Sequence, residues 1–365
     1  MTKETIKTFL KRKNIEISAK RYGIDALGAM AQGLFCSLLI GTILNTLGTQ
    51  FHIGFLTEPV LVVSETTSYT VGGLAMAMTG PAMAVAIGYA LQSPPLVLFS
   101  LVTVGFAANG LGGAGGPLAV LVVAVIAAEF GKAVAGETKI DILVTPLVTI
   151  GIGVALSAWW APGLGAAAMK VGELVMWATE LRPFMMGIVV SVVVGMALTL
   201  PISSAAICAA LGLTGLAGGA AVAGCCAQMI GFAVMSFPEN KWGGLVSQGI
   251  GTSMLQMGNI VKNPRIWIAP TLTAAITGPV ATCVFKMQMN GAPVSSGMGT
   301  CGLVGQIGVY SGWVADMASG AKAAITGMDW LGLVLICFVL PAVLAPLINA
   351  GCRKLGWVKD GDLTL

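Results

Sequence analysis

The sequence predicts an all-α integral membrane protein, and three observations predict it. Of 365 residues, 56% are hydrophobic and only 9% charged, where a soluble domain carries roughly 25% charged residues. The apolar residues run in stretches near the ~20 residues that one membrane-spanning helix needs. The 50 glycines suit helices that pack in lipid, where small residues permit the close backbone approach that the hydrophobic effect does not drive. A chain of this length has room for about ten such segments joined by short loops. Soluble, disordered and fibrous classes are excluded by the same composition.

The elements follow in chain order. Residues 26–47 form the first span. Residues 51–68, with His52, Glu58 and Glu65, are too polar to cross and read as a loop or interfacial helix. Residues 69–91 span, interrupted at Gly80-Pro81, and 96–108 are apolar but too short to cross. That short run enters a glycine-rich stretch, 109–117, the pattern of a re-entrant or broken helix. Residues 118–134 and 142–160 span, separated by the charged loop 136–141. Residues 165–182 suit an interfacial helix, and 184–200 span up to Pro201. Residues 205–222 and 223–237 are rich in glycine and alanine, 265–287 span with a second break at Gly278-Pro279, and 331–350 form the last span. Each half thus carries a Thr-Gly-Pro break, at Thr79–Pro81 and Thr277–Pro279, which raises an inverted repeat as one possible plan.

Charge placement sets the expected topology. Lys3, Lys7, Lys11, Arg12, Lys13, Lys20 and Arg21 crowd one end, and Arg353, Lys354 and Lys359 the other. The positive-inside rule places both termini in the cytoplasm, with an even number of crossings. The expected organisation is a basic interfacial N-terminal helix over 1–23, resting on membrane lipid, then one polytopic membrane domain over 24–352 and a cytoplasmic tail over 353–365. The basic start lacks the cleavage pattern of a signal peptide, and it is too short to suggest a nucleic-acid partner. The eight cysteines lie in apolar surroundings without metal spacing, so they read as small buried hydrophobes. No metal or cofactor motif is present, and no nucleotide cradle or hydrolase elbow.

The chemistry concentrates in three polar, glycine-rich stretches: 109–117, 239–264 and 290–308. Irregular backbone at membrane depth is tolerated only against protein or a wet cavity, and broken-helix ends there offer N–H and C=O groups to a polar solute. The candidate substrate-binding residues are Asn109; then Glu239, Asn240, Trp242, Gln248, Thr252, Ser253, Gln256 and Asn259; then Ser295, Ser296 and Thr300. Neutral amides and hydroxyls suit a polyhydroxylated ligand, and Trp242 is available to stack on a sugar ring. Glu239 stands out, because a buried carboxylate costs ~2.5–3.5 kcal/mol at the bilayer centre unless paired, hydrated or functional. A loop ion pair with Lys241 is its plainer alternative.

The stretch 109–117, the run Gly251-Thr-Ser-Met-Leu-Gln256 with Asn263-Pro264, and Gly297-Met-Gly-Thr-Cys-Gly302 together resemble the membrane subunit IIC of bacterial phosphotransferase-system sugar transporters. More narrowly, they are similar to the stand-alone IIC-like group that includes the perfringolysin-regulator-type proteins. The resemblance implies about ten transmembrane helices (a count the length allows), two re-entrant hairpins, a homodimer, and a sugar site between a scaffold and a mobile domain. It also implies a glutamate and a histidine near the hairpins; Glu239 fits the first, whereas His52, the one histidine, lies far upstream. No soluble domain for the phosphorylation sites is visible, so either separate IIA and IIB proteins supply the phosphate or the protein works without phosphorylation.

Three functions compete on these grounds: a permease for a sugar or related small polar solute in the bacterial cytoplasmic membrane, working by alternating access; a membrane sensor or regulator that keeps the fold without phosphorylation-coupled transport; and a channel. A transporter is favoured over an enzyme.

Overall fold

The computed structural model describes residues 3–64 and 66–365; Glu65 lies outside the described residues. Among the described residues the chain is mostly helical, with an antiparallel hairpin of β1 (Leu61–Ser64) against β2 (Thr67–Tyr69). Residues 51–68 therefore hold a hairpin, preceded by the one-turn helix Gly54–Thr57. The adjacent β-branched residues Val62 and Val63 favour extended backbone over helix. Among the described residues, six helical stretches are long and apolar enough to cross a membrane, and seven if one bent pair counts as a span. The about ten spans that length alone allows are not all realised as long helices, because glycine and proline divide several into short pieces.

The chain packs into two compact units, residues 1–167 and 168–365. The first begins with α1 (Lys3–Arg12) and α2 (Arg21–Phe51). Next come α3 (Val71–Ala77) and α4 (Thr79–Ala90), bent by 51°. Pro81 explains the bend: it has no N–H for the Ala77 carbonyl, and its ring crowds that carbonyl. The break therefore falls at Met78, the hinge between the two helices.

Helices α5 (Pro95–Gly112) and α6 (Gly116–Val134) form an antiparallel pair. Gly113, at φ 50°, turns the chain, and Gly131 near the end of α6 faces Val97 near the start of α5. The expected short arm 96–108 is longer than its apolar run, because the helix continues through Asn109 to Gly112. Its 18 residues reach about 27 Å at 1.5 Å per residue. The crossing of α4 and α5 depends on glycine: a Cβ on Gly80 would meet the Gly105 carbonyl oxygen, and one on Gly105 would meet that of Gly80.

Helix α7 (Asp141–Thr179) is continuous for 39 residues with Pro146 and Pro162 inside it. The separate span and interfacial helix expected over 142–182 are thus one element, although Pro162, Gly163 and Gly165 at their junction are poor helix formers. Its first part packs on the first unit, with Gly153 against Val104. Its last part packs within the second unit, with Gly172 against Ile207 and Leu211.

In the second unit, α8 (Pro183–Thr199) and α9 (Ser204–Ala210) precede α10 (Gly215–Met235). Helix α10 is central, with most of its residues buried. Its glycine and alanine content is the reason: a Cβ on Gly224 would strike the Ser191 backbone of α8. Then follow α11 (Phe237–Val246), α12 (Met257–Lys262) and α13 (Pro264–Val284). The unit ends with α14 (Val304–Ala318), α15 (Gly327–Lys354) and a C-terminal segment. An apolar core joins Val222 and Cys226 of α10 to Val309 and Trp313 of α14 and Ile336 and Cys337 of α15.

Candidate functional site

Most sequence-predicted site residues lie in the second unit, on the irregular backbone between α10 and α13. Helix α11 is interrupted at Lys241, a non-glycine residue at φ 52°, ψ −149°. Such backbone costs of order 1–3 kcal/mol and persists only where the surroundings hold it. A π turn over Ser247–Gly251 and a 3-10 turn over Ser253–Gln256 follow. Glycines at 249 and 251 weaken helix propensity there, and Thr252 caps the 3-10 turn by accepting from the Met254 N–H.

This backbone brings buried amides into one chain of hydrogen bonds. Gln248 Nε2 donates to Ser236 Oγ and the Gly244 carbonyl, both at 2.9 Å. Gln256 Nε2 donates to Gln248 Oε1 at 2.9 Å, and Asn259 Nδ2 donates to Gln256 Oε1 at 2.8 Å. Gln248 and Gln256 are fully buried. Each such bond contributes ~0.5–1.5 kcal/mol net, but a buried partner left alone costs ~1–3 kcal/mol, so the series stands or falls together.

The far side of the series is the C-terminal segment. Asn240 Nδ2 and Gln256 Nε2 both donate to the Leu363 carbonyl, at 2.7 and 2.9 Å. Asn259 Nδ2 donates to the Thr364 carbonyl at 2.8 Å. The Leu365 N–H donates back to Asn240 Oδ1 at 2.9 Å, so one side-chain amide reads both a carbonyl and an N–H of the segment. Asn263 Nδ2 holds the Trp357 carbonyl and Asp362 Oδ2. Glu239 pairs with Arg353, not with Lys241, and Arg353 also pairs with Asp360. The other Glu239 oxygen, Oε2, is buried without a hydrogen-bond partner.

A second buried network adjoins the first. Ser253 Oγ and Thr199 Oγ1 lie 2.8 Å apart, and Gln228 Oε1 accepts from Trp267 Nε1 at 2.9 Å. Gln228 also contacts Thr199 and Thr271. Sequence reasoning missed Ser236, Thr199, Gln228, Trp267, Thr271, Arg353 and the C-terminal segment. Gln228 carried a usable signal, a lone amide in the middle of an apolar glycine-alanine helix. The others carried none, because hydroxyls are common in membrane helices and the partnership of the tail is a long-range fact.

The remaining candidates lie apart from this cluster. Trp242 is 70% exposed and sits edge-on to Phe237, ring centroids 5.4 Å apart. Ser295, Ser296 and Thr300 are buried in a knot against α9 and α10. There Ser296 Oγ donates to the Leu213 carbonyl at 2.7 Å and Thr300 Oγ1 contacts Met229 Sδ. Asn109 belongs to the first unit, half-buried beside Gly80 and Gly116. A separate polar cavity of about 250 Å³ in the second unit is lined by Lys286, Asn290, Trp313, Asp316, Lys322 and Asp329. Its charges are largely matched internally: Lys322 pairs with Asp329, and Asn290 donates to Asp316, each at 2.8 Å.

Long apolar helices, a bent helix pair and buried amides on broken backbone together define a multi-pass membrane protein that shelters uncharged polar groups inside helical packing. The model of the family described as "Phosphotransferase system, EIIC" matches residues 24–365, and the chain belongs to that family. No curated protein and no solved structure matches it.

Proposed function

We propose that the chain is a IIC-type permease, of the stand-alone perfringolysin-regulator-type subgroup, that binds a sugar or related small polar solute and moves it by alternating access. The observation that carries this reading is the buried, uncharged amide series Gln248–Gln256–Asn259 on a succession of short π, 3-10 and α-helical pieces. Neutral donors match hydroxyl groups without the desolvation penalty of a buried charge. In this reading Asn240, Gln256 and Asn259 are the main donors to the solute and Glu239 Oε2 is an acceptor. Thr252 and Ser253 shape the segment, and Trp242 stands at an open entrance. Ser295, Ser296, Thr300 and Asn109 belong to two other broken-helix elements that move with or against this one. The protein works as a homodimer in the bacterial cytoplasmic membrane, termini inside, with separate IIA and IIB proteins supplying phosphate.

The test is thermal unfolding of purified protein against a panel of sugars, polyols and nucleosides. A solute at 100-fold over its Kd stabilises by about 2.7 kcal/mol. Glu239→Gln should weaken that stabilisation while the unliganded protein still folds; unchanged affinity removes Glu239 from the site. Failure of every solute class to shift the melt, with no uptake into proteoliposomes, defeats the carrier reading. A regulatory role is favoured by one observation, the C-terminal segment seated in the amide series, since it would couple site occupancy to a segment of the chain outside the spans.

A further inference from the structure

We propose that residues 357–365 are a removable occupant of the solute cradle, so that tail and solute compete for the same amides. The inference rests on the carrier reading for the identity of the competitor, and on the tail's own contacts for everything else.

The tail is held by groups that a hydroxylated solute would use. Asn240, Gln256 and Asn259 donate to the Leu363 and Thr364 carbonyls, and nothing charged takes part in those bonds. Leu363 is fully buried and Val358 nearly so, and these two apolar side chains anchor the tail. The tail's charges make exposed contacts at the margin of the cradle: the Asp360 side chain is 96% exposed and pairs with Arg353, the partner of Glu239, and Asp362 is used by the Lys359 N–H and Asn263.

The tail is also built to move as a piece. Gly356, at φ 70°, ends α15 and frees the following residues from the helix direction. Gly361, at φ 90°, makes the tight turn that presents Leu363 and Thr364. Once the tail leaves, the cradle has amide donors in need of acceptors and, at Glu239 Oε2, an acceptor that already lacks a donor. Adjacent hydroxyls of a polyol or sugar offer both functions at once, because each hydroxyl donates and accepts. Buried polar groups need partners at every stage, so the tail serves as the stand-in that keeps the empty site closed.

The experiment uses full-length protein in nanodiscs, the full-length Leu363→Asp variant, and a chain lacking 358–365. Glucose, mannitol and uridine are the solute probes, and a synthetic peptide of residues 357–365 is the competitor. Both variants should bind whichever probe binds at least tenfold more tightly than the unaltered protein, and the peptide should reverse that gain. Hydrogen exchange at tail amides of the unaltered protein should speed up when that probe is added. Equal or weaker probe affinity in a variant that still melts cooperatively overturns the proposal, as do tail amides that stay protected at saturating probe. If no probe binds any version, the carrier reading is what fails. Peptide capture by the shortened chain then decides the tail separately: saturable binding upholds a removable tail, and no binding overturns it.

Discussion

The two units tie a chain end back onto their helices with opposite chemistry. In the first, the segment after α1 is held by charge. Lys132, fully buried, donates to the Asn14 and Leu91 carbonyls and lies 2.8 Å from Glu129 Oε2, while Tyr22 donates to Glu129 Oε1. Arg21 also donates to the Leu91 carbonyl, and Arg12 and Lys13 pair with Glu137. In the second, the tail is held mostly by neutral amides. A buried ion stripped of its partner is far more costly than an unpaired amide. The first attachment is therefore a lock, and the second can exchange one set of hydrogen bonds for another.

The two Thr-Gly-Pro sites sharpen the contrast. Both put a glycine at a close helix crossing, Gly80 against Gly105 and Gly278 against Gly187. Their prolines act differently. Pro81 bends α3 from α4 by 51°, whereas Pro279 stays inside a helix that absorbs it in the π turn Val280–Val284. The same tripeptide breaks one helix and merely widens another, depending on what packs around it.

The largest expected effect comes from the lock. Lys132→Leu leaves Glu129 buried without its cation and should cost ~3–5 kcal/mol, read as a fall in the thermal midpoint. The double variant Lys132→Leu/Glu129→Leu should recover most of the loss. If the single variant is neutral, the first attachment is no lock and the contrast collapses. Next are the crossings: Gly278→Leu should cost ~1–3 kcal/mol or more from overpacking, and Gly80→Leu a similar amount. A neutral result at either site would show that its helices part freely.

Gln256→Leu, which strands Gln248 Oε1 and removes a donor from the Leu363 carbonyl, should cost ~1–3 kcal/mol and speed exchange at residues 363–365. Global unfolding without faster tail exchange would make the amide series a lock too. The smallest effect is at the exposed Glu137. A hydrogen bond from Lys13, with Arg12 beside it, holds its carboxyl below the ordinary carboxylate range. A carboxylate with a depressed folded pKa stabilises above its unfolded value and loses that contribution as pH falls through the folded one. Protection of α1 in hydrogen exchange should therefore decline only below the usual carboxylate range, and Glu137→Gln should abolish that decline.

Legibility differed between residue types for physical reasons. Gln248, Gln256 and Asn259 were readable as a group because amides in an apolar chain need partners wherever they fall. Trp242 was readable as an aromatic near polar groups, but its exposure depends on the turn at Lys241, which no local pattern announces. The α5 arm was underestimated because hydropathy ends at Asn109, although the hydrogen-bonded helix continues to Gly112. Arg353 as the partner of Glu239 was hidden by 114 residues of separation.

By itself the sequence determined the solvent this protein lives in, the rough places of its apolar helices, and the existence of polar stretches requiring shelter. Those properties follow from composition and local pattern, since transfer to lipid is summed residue by residue. Tertiary structure alone decided which broken helices meet and which proline bends its helix. It also decided that residues 363–365, instead of open space, face the amides. Such choices depend on packing and hydrogen bonds between residues far apart in the chain, and only the folded chain brings those residues together.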